Sequence, residues 1–187
     1  MLLHPGMAAP HFTAQDLFGN TIDLSTLLGK PVLLSFFRNA ACALCNLRVH
    51  HMIRQYPGYT QLGLIMIAVF ESPREPMLAY VGRQDAPFPL LADPEARLYN
   101  LYGVETSAAK LAQTMAMPET AATVQAAAAL GFPLIRETDS NFERMPADFL
   151  IGPDGLLLQA HYANQITDHL PFAVIEQQLV SLSVAQP

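Results

Sequence analysis

Hydrophobic and polar positions fall into blocks whose period changes along the chain. Pro31 precedes Val32-Leu33-Leu34-Ser35-Phe36-Phe37, an almost unbroken apolar run with β-branched and aromatic members, stopped by polar residues. A run this short reads as a strand buried on both faces. From Cys42 the spacing turns helical: Leu44, Leu47 and Ile53 share a face, and Pro57-Gly58 predicts an end near Tyr56. Leu64 to Phe70 is a second buried strand. Ser72-Pro73-Arg74-Glu75 offers an N-cap serine, a proline at the first helical position and the glutamate of a capping box, which predicts a helix to about Gly82. Phe88 to Leu91 is a short third strand, and Asp93-Pro94 opens a helix through Tyr102.

Strand, helix, strand, helix, strand implies right-handed crossovers and a parallel central sheet. The pattern then changes. Asp148 to Ile151 and Leu156 to Tyr162 flank Gly152-Pro153-Asp154-Gly155, a hairpin signal, and Phe172, Ile175, Leu179 and Leu182 keep core spacing on a final helix from about Pro171 to Val184. At the other end, Phe18-Gly19-Asn20-Thr21 predicts a small hairpin or extended edge, and Leu24 to Leu28 one helical turn closed by Gly29. The expected architecture is α/β, a mixed sheet with helices on both faces and an N-terminal β extension. Residues 105–135 stand apart as an Ala-rich helical insertion, charged only at Glu105, Lys110 and Glu119, with Pro118 dividing two helices. So few charges require buried surface, against the parent domain first, or against a second copy or a substrate.

Composition narrows the class. The 187 residues suit one domain, 1–187, and 51% hydrophobic against 14% charged residues excludes disorder. No apolar run reaches the roughly 20 residues of a membrane span. The start, MLLHPGMAAPHF, lacks a basic segment followed by a long apolar one, so the expected location is cytoplasmic. Net charge is −6, with scattered basic residues and only two lysines, Lys30 and Lys110, which leaves no stripe for nucleic-acid phosphates.

The two cysteines, Cys42 and Cys45, sit together as CxxC where a buried strand passes into a helix. A thiol is a poor nucleophile until it ionises, and the unpaired N–H groups and partial positive charge of a helix start favour the thiolate. Two residues between them on one turn bring the sulfurs within bonding reach, so one attacks a disulfide and the other resolves the mixed disulfide. Inert core cysteines have no reason to cluster there. A zinc site needs about four ligands. The nearest candidates, His50 and His51, lie over a turn along the same helix, so no metal is expected.

The segments GKPVLLSFFRNAACALC, LIMIAVF, FPLLADPEARLYNLYGVE and MPADFLIGPDG together resemble the alkyl-hydroperoxide-reductase and thiol-specific-antioxidant (AhpC/TSA) branch of the thioredoxin superfamily, in particular bacterial peroxiredoxin-like proteins. The similarity spans nearly the whole chain outside the insertion. It implies a thioredoxin-like fold, no cofactor beyond an external thiol or dithiol donor, and a cis Met145–Pro146 bond opposite the active cysteine that presents backbone groups to an extended substrate. In the peroxiredoxin register Cys45 falls on the peroxide-attacking cysteine, Cys42 on the family threonine and Arg38 on the family proline. Pro146 then replaces the arginine that supports the thiolate. These departures remove peroxide-polarising groups, and losing one such donor commonly costs about 100-fold in rate.

The favoured activity is therefore dithiol–disulfide exchange, with Cys42 as nucleophile and Cys45 as resolver. The alternative is a thiol peroxidase in which Cys45 attacks hydroperoxide and Cys42 resolves the sulfenic acid. A second alternative is a non-enzymatic redox sensor or binding module using the apolar insertion. Arg38 is expected to hold a thiolate or to lie solvated. Asp148 is expected as a proton acceptor near the sulfurs or, better, as an N–H-bonded or Arg-paired carboxylate. His169 is placed at the last helix start with Asp168 capping it, and Tyr99 and Tyr102 are read as packing residues.

Overall fold

The computed structural model describes residues 2–137 and 140–185. The chain opens with the expected antiparallel pair, β1 (Thr13–Gln15) and β2 (Thr21–Asp23). Gly19 takes φ +86°, open to glycine without strain, and the Asp16 carboxylate accepts the Phe18 and Asn20 N–H groups across the turn. A 3-10 turn follows at Leu24–Leu27, capped by Asp23.

β3 (Val32–Phe36) is buried along its whole length at the centre of a five-stranded sheet. β4 (Ile65–Phe70) pairs parallel to it, and β5 (Leu90–Ala92) parallel to β4. On the other side β6 (Ala147–Ile151) pairs antiparallel to β3 and β7 (Leu157–Tyr162) antiparallel to β6, giving the order β5-β4-β3-β6-β7. Alternate residues feed two cores. Leu33, Met66, Ala68, Phe70 and Leu150 face one, with both cysteines; Val32, Leu34, Phe36, Ile67 and Phe149 face the other.

The first core is covered by α1 (Ala43–Gln61), α2 (Arg74–Ala79) and α6 (Phe172–Ala185), the second by the N-terminal segment and α3 (Arg97–Leu101). α1 does not stop at Pro57 but runs through it. Proline removes one helical bond, yet beyond it Tyr59 is buried and its hydroxyl lies 3.4 Å from the Phe172 carbonyl and 3.3 Å from Glu176. That tertiary anchoring outweighs the local penalty. Nor does Ser72 cap α2: Pro73 is the cap residue, without a side-chain bond, and the Ser72 hydroxyl reaches across to Ala40 and Glu137. α3 starts later than expected, although the Asp93 carboxylate still accepts the Arg97 and Leu98 N–H groups.

The insertion forms two helices, α4 (Ala108–Met115) and α5 (Pro118–Ala129), divided as Pro118 predicted. α5 packs on α1 through Ala127 against Ala43 and Leu47. Among the described residues, no helix is long and apolar enough to cross a membrane.

Candidate active site

β3 delivers the chain to a short loop, and α1 begins at Ala43 with Cys42 as its N-cap. Serine or aspartate usually fills that position and accepts an orphan N–H through oxygen. Here sulfur does so: the Cys45 N–H donates to Cys42 Sγ at 3.3 Å. The Asn46 side-chain amide donates to the carbonyls of Ala40 (2.7 Å) and Cys42 (2.9 Å), fixing the loop on the helix.

Arg38 completes the first sulfur's surroundings. Its Nη2 donates to Cys42 Sγ at 3.4 Å, its Nη1 to the Phe142 carbonyl at 3.2 Å, and its guanidinium lies 5.5 Å from the Phe142 ring centre. Burial pushes the Cys42 thiol up, but the Cys45 thiol, the Arg38 charge and the Cys45 N–H together hold it well below the usual thiol range. Cys45 moves the opposite way, raised by burial, by its bond to Cys42 and by the charge beside it. The two sulfurs are therefore unequal in acidity, with Cys42 the more acidic. Both cysteines are free, at 3% and 4% exposure.

Met145 is buried in the same hydrophobic cluster as the cysteines. Its peptide bond to Pro146 is not cis, and every peptide among the described residues is trans. Trans is the lower-energy isomer of an X–Pro bond, and here extended pairing on both sides carries the chain straight through. Met145 N–H donates to the Glu105 carbonyl (3.0 Å), Ser107 N–H to the Glu143 carbonyl (2.8 Å), and Ala163 N–H to the Pro146 carbonyl (3.2 Å). The backbone groups assigned to an extended substrate are therefore already paired with the start of the insertion and the end of β7.

Asp148 sits opposite Ser35 in the β3–β6 register, fully buried. One carboxylate oxygen accepts the Leu170 N–H (2.7 Å) and meets His169 Nδ1 (3.0 Å). Burial raises its pKa, but the charges of His169 and Arg48 and the His169 bond outweigh that and hold it below the usual carboxylate range. It bonds neither sulfur; the N–H-bonded reading holds, and it ties down the loop before α6. Asp168 does not cap that helix, because its carboxylate pairs with His161 (2.8 Å) and the Asn164 N–H (2.8 Å).

Sequence reasoning missed Glu137. Its carboxylate accepts the Ala41 N–H (3.2 Å) and the Ser72 hydroxyl (2.7 Å), while Ser72 accepts the Ala40 N–H (2.9 Å), so the loop before Cys42 is pinned from outside. No local pattern marks a carboxylate that acts 96 residues upstream. Arg48 was missed too. It donates to the Leu170 carbonyl (2.7 Å) and stacks 3.8 Å from the Phe172 ring centre; its place three residues after Cys45 was the only available signal. No group of three or more metal-binding side chains occurs among the described residues.

The AhpC/TSA family model matches residues 5–160. The chain belongs to the AhpC/TSA family. Relatives of this AhpC/TSA protein include the thiol-disulfide oxidoreductase ResA of Halalkalibacterium halodurans, 33% identical over 106 residues, 55% of this chain and 58% of the relative. Another is a Mycobacterium tuberculosis protein with a peroxiredoxin name, 28% identical over 101 residues, 54% of this chain and 64% of the relative. The chain thus spans less than two thirds of the length of either. The solved structure of peroxidoxin BcpB from Mycobacterium tuberculosis superposes with a TM-score of 0.67 at 16% identity, covering 99% of both chains, which shows the shared thioredoxin-like fold.

Proposed function

We propose that this AhpC/TSA protein catalyses dithiol–disulfide exchange with Cys42 as nucleophile and Cys45 as resolver. The observation that carries the reading is the division of the pair: the acidic sulfur is Cys42, with Arg38 and the Cys45 N–H on it. A thiolate at Cys42 attacks a substrate disulfide, forming a mixed disulfide and releasing one substrate thiolate. Cys45 then loses its proton and attacks Cys42, forming the internal disulfide and releasing the second thiolate. Arg38 holds the anion, Met145 packs the sulfurs in place, Pro146 leads the chain into β6, and Asp148 anchors the loop behind.

The peroxidase alternative needs Cys45 as the anion, and its raised pKa weighs against that. Turnover of a neutral disulfide, bis(2-hydroxyethyl) disulfide, with dithiothreitol as reductant tests the reading. Cys42→Ser is expected to lose turnover, and Cys45→Ser to accumulate a mixed disulfide on Cys42 visible by intact mass. Retained turnover in Cys42→Ser overturns the assignment.

A further inference from the structure

From Arg38 to Cys45 every residue is buried, the most exposed being Leu44 at 7%. Part of that cover is the insertion and the return from it to β6. Ala127 of α5 packs on Ala43, one of the two residues between the cysteines. Glu137 closes on the Ala41 N–H (3.2 Å), and the Phe142 carbonyl on Arg38 Nη1 (3.2 Å). The start of the insertion is fastened to the strand entry. Thr106 bridges Arg144 antiparallel, Ser107 N–H donates to the Glu143 carbonyl, and Met145 N–H to the Glu105 carbonyl. Lys110 ties the same end down, donating to the Ala163 carbonyl (3.0 Å) and pairing with the Glu105 carboxylate. The dithiol therefore lies beneath a built cover and not on an open rim.

We propose that this cover is a size filter, which admits low-molecular-weight disulfides to Cys42 and excludes disulfides carried on folded proteins. The proposal deepens the exchange reading above and rests on it. A thiolate attacks along the S–S bond it breaks, so the substrate sulfur must reach bonding distance of Cys42. A folded carrier brings its whole surface against the cover before its sulfur arrives. An extended segment has no route either. Strand-type recognition needs free backbone groups, and the Glu143 and Pro146 carbonyls and the Met145 N–H are taken. The two cysteine residues keep 3% and 4% exposure where Asn39 and Ala40 have none, a contact surface that suits a few atoms and no more. With R–S–S–R′ as substrate, the Cys42 thiolate bonds to one sulfur and expels R′S⁻. Cys45 gives up its proton to that thiolate, bonds to Cys42 and expels RS⁻, which takes a proton from water. The substrate disulfide is reduced to two thiols and the protein dithiol is oxidised to a disulfide.

Two reagents with the same reactive group test the filter: 2-(2-pyridyldithio)ethanol, and a folded carrier protein whose surface cysteine is capped as its 2-pyridyl disulfide. Each is mixed with pre-reduced protein and the release of pyridine-2-thione is timed. Dithiothreitol, which has no cover, is run in parallel to normalise the intrinsic reactivity of each reagent. On that scale the carrier is expected to react about 100-fold more slowly than the small disulfide, because only molecules whose cover has opened can meet it. Glu137→Ala, which frees the Ala41 N–H, is expected to narrow the gap about tenfold, the worth of one charge-assisted hydrogen bond. Should that variant fail to fold, Lys110→Met releases the other end of the cover from a partly exposed position and is expected to narrow the gap in the same direction. Equal normalised rates for the two reagents, or a gap unchanged in every variant that folds, overturn the filter and leave the exchange reading standing. If neither reagent oxidises the dithiol while dithiothreitol reacts with both, the exchange reading fails and the filter falls with it.

Discussion

The two faces of the central sheet treat buried polar groups differently. On the face away from the cysteines, every tyrosine in the aromatic cluster has a partner. Tyr99 donates within reach of the Phe37 (2.6 Å) and Val69 (3.0 Å) carbonyls, Tyr102 to Pro10 (2.7 Å) and Tyr162 to Tyr102 (2.7 Å). Phe36, Tyr99, Tyr102 and Phe149 also meet edge-on or tilted at 5.0–5.8 Å. Toward the dithiol, Asn46, Ser72 and Glu137 are hydrogen-bonded, but Ser35, Arg38, Asn39, Arg48 and Asp148 each keep at least one buried side-chain polar atom without a hydrogen-bond partner among the described residues. Buried unpaired polar atoms cost stability. The tyrosine hydroxyls of one face are paired; the other face, which carries the two sulfurs, keeps polar atoms unpaired at a cost in stability.

Substitutions across the two faces sharpen that contrast. The largest effect is expected at Asp148, where Asp148→Asn leaves Arg48 and His169 without their buried counter-charge and lowers stability by about 3 kcal/mol at neutral pH. The pH dependence has a definite sign. A carboxyl held below its unfolded value of about 3.9 stabilises the fold fully above that value, and the contribution is lost as pH falls through it toward the folded value. Urea titrations of the wild type between pH 6 and pH 3 should show that loss, and Asp148→Asn should flatten it; parallel curves would remove Asp148 from the charge network.

Tyr99→Phe is expected to cost about 2 kcal/mol, because it strips a partner from buried carbonyls. Asn39→Leu, near isosteric and removing two unpartnered amide atoms, is expected to be neutral or to stabilise by up to about 1 kcal/mol. If the two substitutions destabilise equally under the same urea titration, the distinction between the faces breaks.

Much of this was legible in the chain. The runs Val32–Phe37 and Leu64–Phe70 name strands buried on both sides, and CxxC after the first of them places the dithiol on a helix start. Misreadings came where tertiary contacts overruled local signals. Pro57 sits inside a helix because Tyr59 is anchored beyond it, and Ser72 leaves its cap because its oxygen accepts the Ala40 N–H and its hydroxyl donates to Glu137. The Met145–Pro146 bond follows the pairing of residues 105–107 with 143–145, a contact across the insertion with no signature in either segment. Arg38 was visible as a neighbour of the cysteines, but which sulfur it touches depends on how the loop folds.

The account stands on the unequal acidity of two adjacent sulfurs, and site-resolved labelling measures it directly. Reduced protein is reacted with iodoacetamide across pH, and the modified cysteine is mapped by mass spectrometry. Cys42 should label first, with a midpoint below the ordinary thiol range that rises in Arg38→Met. Cys45 labelling first, or both cysteines titrating together at an ordinary thiol value, would contradict the account.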